Sequence, residues 1–207
     1  MRRKEFEVEN REEIEAFLRE KHDGVLTFRG SDGWPKAVPL NFVYHADAIY
    51  FHGSKAGEKM RGLADDPRAE FVVYEAHAFI PSYFSDPVRA CPATVFFRSV
   101  RIRGTVSQVE DLQEKAGALG ALMAAMQPEG GHAPIDAADP RYVPELKGVG
   151  VLRLDSESVS GKFKFGQNMS GKKREGVLAG LENRNWPGDP ETMAWIRAKA
   201  PHDSAGR

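Results

Sequence analysis

The chain has 207 residues, 41% hydrophobic and 29% charged, with 29 basic residues against 30 acidic ones. That is room for one sizeable domain, or a domain with an appendage, at the composition of an ordinary globular protein. The near-zero net charge argues against strong nucleic-acid or membrane-surface affinity, and the single cysteine, Cys91, excludes an internal disulfide and a cysteine-rich metal site.

No run of about 18 apolar residues is present to span a bilayer. The basic start MRRKEF is not followed by the apolar core of a signal peptide. A reducing cytoplasm is the expected compartment.

Asn10 followed by Glu13 reads as a variant capping box, and Ile14, Phe17 and Leu18 share one face of the helix expected from Arg11 to Lys21. The stretch from Gly24 to Gly53 predicts three strands, with turns at SDG and HAD. In the middle strand Val38, Leu40 and Phe42 face one way, and Asn41 faces the other between Pro39 and Val43. A short helix should follow and stop at DDP, and RAEFVVYEA reads as a fourth strand. The Pro- and Ser-rich segment from His77 to Ala93 reads as an excursion between strands.

TVFFRSVRIRGTVSQV is the longest strand pattern, with Phe96, Val100, Ile102 and Val106 on one face and Arg98 among them. Glu110 to Met126 predicts an amphipathic helix carrying Leu112, Leu119, Leu122, Met123 and Met126. The polar segment from Gln127 to Gly148, with four prolines, reads as a long loop, functional or mobile. One or two strands should follow, then a helix in SGKKREGVLAGL. A last short helix should fray toward the end of the chain. Hairpin-linked strands with few helices predict a mainly β, antiparallel architecture rather than a doubly wound parallel sheet.

GxGxxG, HExxH, CxxC and GxSxG are all missing, and GSKAGEK does not fit the Walker spacing. A bound cofactor is then the natural source of any chemistry. In IYFHGSKAGEKM, Lys55 and Lys59 flank a helix start, where the dipole disfavours cations. With Gly53 and Gly57 exposing backbone N–H groups, Ser54 as a donor and His52 at the strand end, the segment reads either as an anion site or as a solvated surface loop. Arg98 on an apolar face needs an anion, whether a ligand or an acidic side chain. The tract Lys162, Lys164, Lys172, Lys173 and Arg174 is a solvated basic face, an anion contact or a subunit contact. His22, His45, His77, His132 and His202 show no metal spacing and read as structural or surface residues, so no metal site is expected.

Taken together, PLNFVY, IYFHGSKAGEKM, DDPRAEF, FFRSVRIRGTV and the late SGK resemble the FMN-binding split-barrel proteins, the pyridoxamine 5′-phosphate oxidase-like group, over Gly24 to Lys162. The similarity is greatest to the Nim-type, nitroimidazole-resistance-related branch. It implies an antiparallel six-stranded split β-barrel of the FMN-binding type with flanking helices, homodimeric, with FMN in clefts at the interface. A barrel domain over residues 1–165, with a helical extension over 166–207 packed on the barrel or the dimer partner, follows from it.

By the same resemblance Ser54 and Lys59 hold the FMN phosphate, and His52 and Gly53 lie beside the flavin or its ribityl chain. Pro39, Leu40 and Asn41 run along the ring, with Asn41 hydrogen-bonding near its polar edge. Arg98 and Ser99 form an Arg-plus-polar pair, of which a regular strand turns at most one toward the flavin. Lys55 and Lys162 are secondary candidates, Lys55 being more solvated. No catalytic side chain is assigned.

The Arg-rich C-terminal motif of the oxidase proper is missing, and SGKFKFGQN…REGVLAGL is similar to the end of PaiB-type regulators. The resemblance therefore implies an FMN-dependent oxidoreductase acting on a small electrophile, nitroreductase-like, with a nicotinamide nucleotide as electron donor. A PaiB-type FMN-binding regulator or sensor is the alternative, and a haem-handling relative using His52 or His77 is a third reading.

Overall fold

The computed structural model describes residues 2–200. The fraying expected at the C-terminal end and the surface reading of His202 lie outside the described residues. The strands are β1 (Glu7–Val8), β2 (Asp23–Arg29), β3 (Pro35–Asn41), β4 (Val43–His45), β5 (Ala48–Gly53), β6 (Arg68–Ile80), β7 (Thr94–Gln108) and β8 (Gly150–Lys164). The helices are α1 (Arg11–Glu20), α2 (Glu58–Asp65), α3 (Leu112–Met126), α4 (Val143–Gly148), α5 (Gly171–Arg184) and α6 (Asp189–Ala198).

The sheet order is β3-β2-β6-β7-β8-β5-β4, with β1 paired to β8 off that path. Among the described residues eight strands stand where six were expected. β1 is a two-residue addition. β3 and β4 are one expected strand divided at Phe42, because the chain changes partner there: β3 pairs with β2 and β4 with β5.

Two compact units emerge. One, the barrel unit, comprises residues Asn10–Val73 and Val100–Ser160. The other, the terminal unit, takes residues 2–9, Tyr74–Ser99 and 161–200 of the described chain. Strands β6, β7 and β8 supply residues to both. The helices α5 and α6, expected as an extension after residue 165, thus share a unit with strand residues.

In the barrel unit the two ends of the strand order, β3 and β4, are neighbouring pieces of one segment, so the order closes on itself at Phe42. Phe42 is fully buried, its N–H donates to the His22 carbonyl at 3.0 Å, and its ring meets Phe71 edge-on at 5.0 Å. Phe71 in turn stacks with Phe51 at 6.3 Å. Glycine sets the closest backbone approach: a Cβ on Gly104 of β7 would lie 1.9 Å from the Asp155 carbonyl of β8. The HAD turn joins β4 to β5 with Ala46 at φ 46° and Asp47 at φ 61°, the doubly left-handed geometry that matches hairpin twist.

Helix α1 begins as expected, the Asn10 side chain accepting from the Glu12 and Glu13 N–H groups. Helix α3 departs from expectation. Lys115, Ala116, Ala118 and Leu122 are buried, and Met126 is exposed. Lys115 can face inward because its ammonium donates to the carbonyls of Leu146 (3.0 Å) and Val149 (3.2 Å), which close α4.

In the terminal unit β6 continues to Ile80, past the expected end at Ala76. Its burial alternation changes phase between His77 and Ala78, and that phase change hides the last residues of the strand from a period-2 reading. Helices α5 and α6 are tied by Arg184, which makes two bonds to the buried Asp189 (2.6 and 2.9 Å) and one to the Phe79 carbonyl (2.8 Å). Trp195 of α6 stacks on Phe165 at 5.3 Å.

Candidate functional site

In the barrel unit the chain leaves β5 at Gly53, makes a tight loop and enters α2 at Glu58. Gly57, at φ +138°, turns the backbone in a way side chains resist. Ser54 braces the loop, its hydroxyl accepting from the Ala56 N–H at 3.2 Å. The first turn of α2 has no side-chain cap, so its N–H groups stay available.

The two lysines of this loop behave differently. The Lys55 ammonium donates to the Lys147 carbonyl at 2.5 Å, in the last turn of α4, where helix polarity favours a cation. Lys59 folds back over the end of β5. Its ammonium lies 5.2 Å from the centre of the Phe51 ring and 3.2 Å from where a Gly53 Cβ would be. Lys59 is half-buried, and among the described residues no carboxylate pairs with it. Loss of hydration holds its ammonium below the usual lysine range. His52 is lowered as well, first by desolvation and then by the Lys59 charge. An ammonium that has lost hydration and, among the described residues, has no carboxylate beside it is a place that an anion would stabilise.

On β3, Pro39 and Asn41 present exposed side chains on one face, and Leu40 is half-buried on the other. The Asn41 amide donates to the His22 carbonyl at 3.3 Å, which fixes its orientation. Pro39 lacks an N–H, as suits the terminal position of β3 in the strand order.

Arg98, Ser99 and Lys162 belong to the terminal unit. Burial alternates regularly along β7, so Arg98 and Ser99 do face opposite ways. Arg98 is only 4% exposed, and its guanidinium meets the Glu75 carboxylate at 2.5 and 3.0 Å. His77 Nε2 lies 3.0 Å from Arg98 Nε, and the Trp195 ring lies 5.0 Å from the guanidinium carbon. The anion that Arg98 required is thus present within the protein. Burial, first of all, keeps His77 below its ordinary pKa. Ser99 donates its hydroxyl to the Lys162 carbonyl at 3.4 Å, and the Lys162 ammonium sits 5.4 Å from the Phe97 ring centre.

The structure therefore brings together His52, Gly53 and Lys59, and separately Arg98 with Glu75 and His77. Glu75 escapes a sequence reading, and His77, read there as a structural or surface residue or a haem ligand, stands instead beside Arg98. The available signal was their i, i+2 spacing beyond Val73 on the inward face of β6. Among the described residues no group of three or more His, Cys, Asp or Glu could hold a metal ion, and no helix is long and apolar enough to cross a membrane.

The family model described as pyridoxamine 5′-phosphate oxidase matches residues 10–163. Among curated proteins none matches the chain. Among solved structures, a candidate 5-nitroimidazole antibiotic resistance protein from Bacteroides thetaiotaomicron is similar at a TM-score of 0.61 and 22% identity, over 75% of this chain and 85% of that one. An FAD- and heme-binding protein from Mycobacterium smegmatis gives a TM-score of 0.66 at 23% identity, over 84% and 80%. A flavocytochrome from Azotobacter vinelandii gives 0.63 at 20% identity, over 77% and 69%. At these identities the likeness establishes the shared split-barrel fold.

Proposed function

The chain belongs to that pyridoxamine 5′-phosphate oxidase family, and from this premise we propose that it is a flavoprotein that binds FMN through the Gly53–Lys59 loop and works as an oxidoreductase. One observation carries the reading. A half-buried ammonium, Lys59, lies over a glycine with no acidic partner among the described residues. A phosphate would give this lysine a counter-charge and charge-assisted hydrogen bonds in place of the hydration it has lost.

In this reading Lys59 neutralises the phosphate. Gly53 leaves the space that a Cβ would take, and the uncapped N–H groups at the start of α2 add donors. Ser54 keeps the loop closed and His52 lies beside the flavin chain. Asn41, held by the His22 carbonyl, offers its amide to the ring edge, with Pro39 and Leu40 alongside it. Arg98, Ser99 and Lys162, which belong to the terminal unit, take no part in this proposal. Bound flavin supplies hydride transfer, and the protein supplies position and electrostatics. The substrate is a small electrophile such as a nitroaromatic compound, and the electron donor is a nicotinamide nucleotide.

A homodimer belongs to the same proposal. It rests on the family resemblance and not on any apolar patch. Light scattering on the purified protein should give about twice the 22.9 kDa chain mass.

The decisive experiment is spectroscopy of the purified protein with mass spectrometry of the small molecule released on denaturation. FMN release, reduction by NADH or NADPH and reoxidation by a nitro compound are expected. Bound FMN that neither donor reduces would refute the nicotinamide-dependent oxidoreductase and favour a regulator or sensor. A Soret band without flavin would favour haem binding.

A further inference from the structure

The terminal unit contains a pocket of about 620 Å³ lined by none of the residues assigned above to flavin. Its wall comes from the segment following β6, the start of β7, the end of β8 and the entry to α5. Pro92, Ala93 and Met169 supply an apolar lining, backed by the fully buried Phe96.

The charge in this pocket is one-sided. Arg89, Lys164 and Lys173 line it and no acidic side chain does. Arg89 is neutralised by Asp86 at 2.6 Å. Lys164 is half-buried and donates to the Thr94 hydroxyl; among the described residues no carboxylate pairs with it, and none pairs with Lys173. Desolvation, then the charges of Lys162 and Arg3, holds the Lys164 ammonium below the usual lysine range. A solvated surface lysine would keep its water, whereas Lys164 has surrendered part of it and gained only a neutral hydroxyl. Two uncompensated cations on separate elements, β8 and α5, therefore converge on one cavity with an apolar side.

We propose that this pocket binds a small organic anion. Lys164 and Lys173 meet its carboxylate or phosphate head, and Pro92, Ala93 and Met169 take its apolar body. No residue of the flavin loop lines it, and its test does not read activity.

Cys91 lines the pocket, is exposed and is the single cysteine of the sequence. It therefore reports occupancy. The rate of its reaction with dithiodipyridine, an uncharged aromatic disulfide, is measured in purified protein with inorganic phosphate or benzoate, against sodium chloride of equal ionic strength. Saturable protection is expected, reaching about tenfold at roughly ten times the dissociation constant. It should disappear in Lys164→Met and in Lys173→Met and return in Lys173→Arg. Protection by phosphate alone assigns a phosphate head, by benzoate alone a carboxylate on an apolar body, and by both a shared anion site. No protection beyond the chloride control at about 10 mM of either anion, a concentration well above millimolar affinity, overturns the proposal. Equal protection in the methionine variants does so too. Lys173 is exposed on α5, so its variants keep the test valid even if Lys164→Met fails to fold.

Discussion

Lys59→Ala is the sharpest probe of the flavin loop. The Lys59 ammonium is half-buried, 5.2 Å from the Phe51 ring centre, and among the described residues has no acidic partner. A unit charge pair at about 4 Å is worth ~1 kcal/mol in water and ~4 kcal/mol at the effective dielectric near a protein surface. A half-buried lysine lies between these limits, so about 2–3 kcal/mol of FMN binding should be lost, roughly a 30- to 150-fold rise in Kd. Lys55→Ala should change Kd by less than about threefold, because the Lys55 ammonium is already held by the Lys147 carbonyl. The assay is fluorescence titration of apoprotein with FMN and, in parallel, with riboflavin, which lacks the phosphate. Riboflavin affinity should be nearly equal in wild type and Lys59→Ala. An FMN Kd within about threefold of wild type, or equal losses for FMN and riboflavin, refutes the phosphate assignment.

Further outcomes follow from the same contacts. The preference for FMN over riboflavin should be full at neutral pH. It should decline as pH rises through the lowered pKa of Lys59, earlier than the 10.5 of an ordinary lysine, when both titrations are repeated across pH. His77 is held below its ordinary 6.5, chiefly by burial. Between the lowered native value and 6.5 the unfolded chain binds a proton that the native protein lacks, so stability rises with pH there. Melting temperature should therefore fall on acidification below 6.5, and His77→Gln should flatten that dependence. Gly104→Ala should destabilise by several kcal/mol, roughly 3 or more, because its Cβ would stand 1.9 Å from the Asp155 carbonyl. Gly120→Ala in α3 meets nothing within 4 Å and should stabilise by about 0.5–1 kcal/mol in denaturant melts.

Most elements were legible in the chain because their signals are local. The Asn10 cap, the alternation of Phe96 to Val106 and the stop at DDP each concern residues a few positions apart. The misses have a common origin in distant partners. Lys115 is not among the apolar residues that mark α3 in the sequence, yet carbonyls some thirty positions later draw it inside. The last residues of β6 read as loop because burial changes phase at His77, where the strand packs among Phe165, Trp195 and Arg98. Phe42 looks like one more alternating strand residue, and its role as the point where β3 and β4 change partners depends on pairings on both sides.

The candidate site divides in the same way. Residue types and spacing alone determined that the loop from Gly53 to Lys59 could meet an anion and that Arg98 had to find one, since helix polarity and the cost of a buried guanidinium are properties of short segments. They also determined the family resemblance, which the match over residues 10–163 bears out. Only the tertiary structure decided how those charges are met. Lys55 is bound by α4 and Arg98 is neutralised by Glu75, whereas Lys59 and Lys164 lose water without gaining an acid among the described residues. A charge's value depends on what lies within a few ångströms of it, and for these four residues the partner, or the lack of one, is set by elements that only folding brings near.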